Sequence, residues 1–79
     1  MNQTQIIQLQ NFITIAHSDI NRHKKCPDHA SRRVMMYSYG RVVGAYAMIG
    51  NLLGADTHEK VQQLENCYNE ATDLTFHKN

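Results

Sequence analysis

Apolar residues recur three and four positions apart in three separate stretches of this chain, and nowhere do they alternate every second residue. That spacing is the period of an α-helix with one buried face, and its repetition without strand-like alternation confines the chain to an all-α fold. In the first stretch Ile6, Leu9, Ile13, Ala16 and Ile20 follow one another at intervals of 3, 4, 3 and 4, predicting a helix over about 4–22. Phe12 flanks that stripe. Ile7 and Ile15 point away from it, which predicts a second contact face on this helix.

The segment His23-Lys24-Lys25-Cys26-Pro27-Asp28-His29 interrupts the pattern. Proline disfavours helical geometry at the residue before it and has no N–H to give. A second helix is predicted over about 31–53, with Asp28 or Ser31 as its N-cap. One of its faces carries Val34, Met35, Val42, Ala45, Tyr46, Ile49, Leu52 and Leu53. The opposite face carries Met36, Gly40, Gly44, Ala47 and Asn51. A glycine inside a helix costs up to about 1 kcal/mol relative to alanine, so Gly40, Gly44 and Gly50 call for a reason. A smooth strip against which another backbone can approach closely supplies one, and it predicts neighbours on both faces of this helix.

Gly54 is positioned to close the second helix in the left-handed conformation. Asp56 to Glu59 then reads as a capping box, opening a third helix over about 57–75. Its stripe is Val61, Leu64, Tyr68, Ala71 and Thr75, with Cys67 and Leu74 alongside. With 79 residues there is room for one domain, residues 1–79, and one small core. The expected architecture is a compact antiparallel three-helix bundle.

No signal-peptide run, membrane-length apolar segment or lipidation motif is present, so the expected setting is the cytoplasm, without membrane contact. Two cysteines, Cys26 and Cys67, are read as free thiols. In an up-down-up bundle Cys67 lies about 15 Å along the third helix, while Cys26 sits at the far end of a second helix about 34 Å long. That separation exceeds the reach of a disulfide.

Three groups of residues could carry chemistry. His23, Cys26 and His29 are metal-competent side chains within seven residues, and His77 could join them from the end of the third helix. Thiolate and imidazole are zinc's preferred ligands, but the spacing matches no usual zinc pattern. No metal or other cofactor is therefore expected, and the bland alternative is a polar loop.

The second group is basic. Residues 22–41 hold six cations and one acid, while 56–73 hold five acids and one lysine. Lys24, Lys25, Arg32, Arg33 and Arg41, interleaved with Tyr37, could bind an anionic ligand such as a nucleotide or a nucleic-acid backbone. The competing reading is neutralisation by Glu65, Glu70 and Asp73 within the bundle. A near-neutral chain of net charge +1 is not a general nucleic-acid binder, and the turn before the second helix is too long for a helix-turn-helix, so duplex DNA is disfavoured.

The third group is apolar. Met36, Gly40, Gly44, Ala47 and Met48, with Ile7, Phe12 and Ile15, exceed what two partner helices can cover, which predicts self-association and docking of another protein. Catalytic motifs are missing: there is no Gly-rich phosphate loop, no G-x-S-x-G and no H-E-x-x-H. His17, Asp19 and His58 read as lone polar residues, and the expected protein is not an enzyme. These residues match no family pattern. The expected function is a non-catalytic, homo-oligomeric interaction protein serving as adaptor, inhibitor or regulator. The alternative is a binder of an anionic small ligand.

Overall fold

The 3-4 stripe of the first stretch closes as a helix longer than its apolar pattern. In a computed structural model describing residues 3–76, with side chains to residue 73, α1 runs Gln3–Lys25. It absorbs His23, Lys24 and Lys25, three residues beyond the helix end that the apolar spacing predicts. The basic last turn, Arg22 to Lys25, favours this extension because cations complement the carbonyl end of a helix. The Cys26 N–H still donates to the Arg22 carbonyl at 3.1 Å.

The second helix, α2, spans His29–Ile49 and starts two residues earlier than expected. Asp28 is the N-cap: its carboxylate accepts from the Ser31 N–H, and its own N–H donates to the Ser31 hydroxyl, a reciprocal box. Both predicted capping residues therefore act together. The far end departs from expectation. α2 tightens into a 3-10 turn at Gly50–Leu52, and Leu53 leaves in an extended conformation. No described glycine has positive φ, so Gly54 is not a left-handed cap. The third helix, α3, runs Ala55–Phe76. Its first amides, Thr57 and His58, donate to the Gly54 carbonyl at 3.1 and 3.2 Å. Asp56 lies inside the first turn rather than capping it, and approaches Lys60 at 3.8 Å.

Contacts along the helices fix an up-down-up bundle. His23 meets Ser31, Asp19 meets Ser38 and Arg41 lies over Phe12, the antiparallel order of α1 and α2. Tyr39 stacks on Tyr68 and Tyr46 meets His58, the antiparallel order of α2 and α3. Lys24 reaches Glu70, so the C-terminal ends of α1 and α3 lie together. The bundle is 47 × 19 × 16 Å.

Leu9, Ile13, Ala16 and Ile20 of α1, Met35, Val42 and Ile49 of α2, and Leu64 and Ala71 of α3 form the core. The most extensive packing is α1 on α2, then α1 on α3, and the α2–α3 seam is thin. α1 is the most extensively packed helix, and the inner face of α2 meets both α1 and α3. Only one face of α2 is covered within the chain. Val34 and Leu52, assigned to that face from sequence, are exposed because they sit at its edges. No helix of the described residues is long and apolar enough to cross a membrane.

Candidate interaction surface

The outer face of α2 is built by the same period that builds its inner one. Met35, Val42 and Ile49 turn inward at intervals of seven, so Met36, Gly40, Gly44, Ala47 and Met48 turn outward. Nothing lies within 4 Å of where a Cβ would stand on Gly40 or Gly44. Met48 is 81% exposed and Tyr37 68%. Val43 and Met36 are also open to solvent. Every interface residue predicted on α2 therefore lies on one uncovered surface.

The α1 contribution divides. Phe12 packs partly against the core, and the Arg41 guanidinium covers its ring at 4.3 Å from the centroid. Ile15 is 50% exposed and borders a small depression with Phe12, Ser38 and Arg41 at the α1–α2 seam. Ile7 is equally exposed but lies on the other flank of α1, a helical offset of about 80° from Ile15. Ile15 thus adjoins α2 at Ser38 and Arg41, whereas Ile7 stands on another flank of α1.

The basic residues do not converge on one site. Lys24 turns towards α3 and pairs with Glu70 at 3.4 Å. Helix three thus neutralises a basic residue of α1. An exposed pair of this kind contributes about 0–1 kcal/mol. Lys25 is exposed at the end of α1. Arg32 points an amino group at the Met36 sulfur, 3.2 Å away. Arg33, Tyr37 and Arg41 remain as a ridge along α2, with Arg41 5.8 Å from the Tyr37 ring centroid. His29, Arg32, Arg33 and Met36 border an open concavity of about 250 Å³.

The metal-competent loop residues are separated by their structural roles. His23 is fully buried, and its Nδ1 lies 2.7 Å from the Ser31 hydroxyl. That hydroxyl also lies 3.2 Å from the Cys26 and Asp28 carbonyls and 3.3 Å from the Asp28 N–H. A hydroxyl has one proton to give. The balanced assignment has it donate to a carbonyl and accept from both Asp28 N–H and a protonated Nδ1. The Ser31 backbone N–H, which donates to the carboxylate at 2.7 Å, is the main cause holding the Asp28 carboxyl below its ordinary range. Cys26 and Cys67 are both free thiols, Cys26 exposed beside Asp28 and Cys67 half-buried. Among the described residues no three His, Cys, Asp or Glu side chains are grouped to hold a metal. His77 lies outside the described residues.

Polar residues read as isolated turn out to be paired across helices. The Ser38 hydroxyl, buried in α2, donates to the Asp19 carboxylate of α1. The Tyr46 hydroxyl meets Nδ1 of His58 at 2.5 Å. Tyr39 of α2 stacks on Tyr68 of α3 at 4.0 Å between centroids. Its phenol is pushed above its ordinary range by burial, and further by Glu65 and Tyr68. The Ser38 pair carried a signal: Ser38 falls between Met35 and Val42 at helical spacing, and a serine in a core stripe requires a partner.

Comparison with known proteins finds no matching family model, no matching curated protein and no matching solved structure.

Proposed function

We propose that this chain is a small non-catalytic interaction protein that self-associates and docks a partner protein through the outer face of α2 and the adjoining Ile15. One observation carries the reading. Gly40 and Gly44 stand on an exposed helix face with nothing nearby that a Cβ would meet. Each costs up to about 1 kcal/mol in helix propensity, and packing within the chain gives no return for that cost. A neighbour approaching the α2 backbone gives one. The flanking Met36, Tyr37, Val43 and Met48 supply the adaptable and aromatic contacts such surfaces favour.

Light scattering tests the proposal on the intact chain and on Ile15→Glu and Gly44→Leu. The expected result is a particle heavier than the 9.1 kDa monomer, shifted towards the monomer by each substitution. If neither change alters mass or partner binding, the reading is wrong.

A second reading rests on the concavity bordered by His29, Arg32, Arg33 and Met36, beside which Tyr37 stands exposed. It would take an anionic small ligand such as a nucleotide. A ligand at one hundred times its Kd stabilises the folded state by about 2.7 kcal/mol. Melting with millimolar nucleotides and polyphosphate therefore tests it: a rise in Tm that Arg32→Ala abolishes and salt weakens would support it. An unchanged Tm in all of them would end it.

A further inference from the structure

We draw no further inference here: the strongest candidate, the exposed apolar face of α2 that includes Met36, Tyr37, Val43 and Met48, belongs to the surface already described, and nothing in the structure shows what covers it.

Discussion

Replacing Gly40 and Gly44 together by alanine separates what these residues do for the helix from what they do for its surface. An added Cβ at either position meets nothing within 4 Å, and neither glycine has positive φ. Within one chain the only consequence is helix propensity, worth up to about 1 kcal/mol per site, so the double variant gains about 1–2 kcal/mol. For a domain of this size 1 kcal/mol moves Tm by about 4–8 °C, and the expected rise is of order 5–15 °C. With a urea m-value of about 1–1.5 kcal/mol/M the midpoint moves up by roughly 1 M. The assay is urea unfolding followed by circular dichroism at protein concentrations where light scattering reports a monomer. At higher concentration the sign reverses for association: the two methyl groups hold a neighbour off the α2 backbone, and the assembly weakens. A less stable monomer would refute the claim that this face is uncovered within the chain. A more stable monomer that associates as well as the parent would refute the claim that the glycines lie at the contact.

Ser31→Ala removes half of the α2 capping box and the partner of buried His23, and is expected to cost about 1–3 kcal/mol in urea unfolding. Ser38→Ala leaves the Asp19 carboxylate without the hydroxyl that donates to it, with an expected loss of about 1 kcal/mol or more; Asp19→Ala combined with it in a double-mutant cycle shows whether the two act as a pair. Because the Tyr39 phenol is held above its ordinary value of 10.0, its neutral form is favoured in the folded state. Its contribution to stability is complete below pH about 10 and is lost as pH rises through the folded-state pKa. Tyr39→Phe is expected to flatten that alkaline fall. Asp28 has the opposite sign: its carboxyl lies below the ordinary 3.8, so its contribution is complete above that value and is lost as pH falls beneath it.

What could be read in advance followed from periodicity. The α1 stripe of Leu9, Ile13, Ala16 and Ile20 is buried as its spacing predicts, and Leu64 and Ala71 follow in α3. The same rule, carried one step further, reaches His23 three residues after Ile20, and its ring is buried with them. Turn geometry was less legible. Gly54 and Asp56 form a plausible helix-end sequence, but α2 ends four residues earlier than that sequence predicts, at Ile49, and the chain turns through Gly50–Leu52. End positions depend on where the packed face stops, and several local caps of similar energy compete for them.

By itself the sequence determined the number and type of elements, because a 3-4 apolar period interrupted at Pro27 and again near Gly54 permits three amphipathic helices and little else. It also determined that cations gather in 22–41 and acids in 56–73. Only the tertiary structure decided which helix is central and which faces stay open. α1 and α3 both pack on the inner face of α2, and its second face, glycines included, is left to solvent. Only three-dimensional packing could bring Asp19 to Ser38 and Tyr46 to His58. Such pairs join residues on different helices, and helical periodicity records the face on which a residue stands but not what the opposing helix places against it.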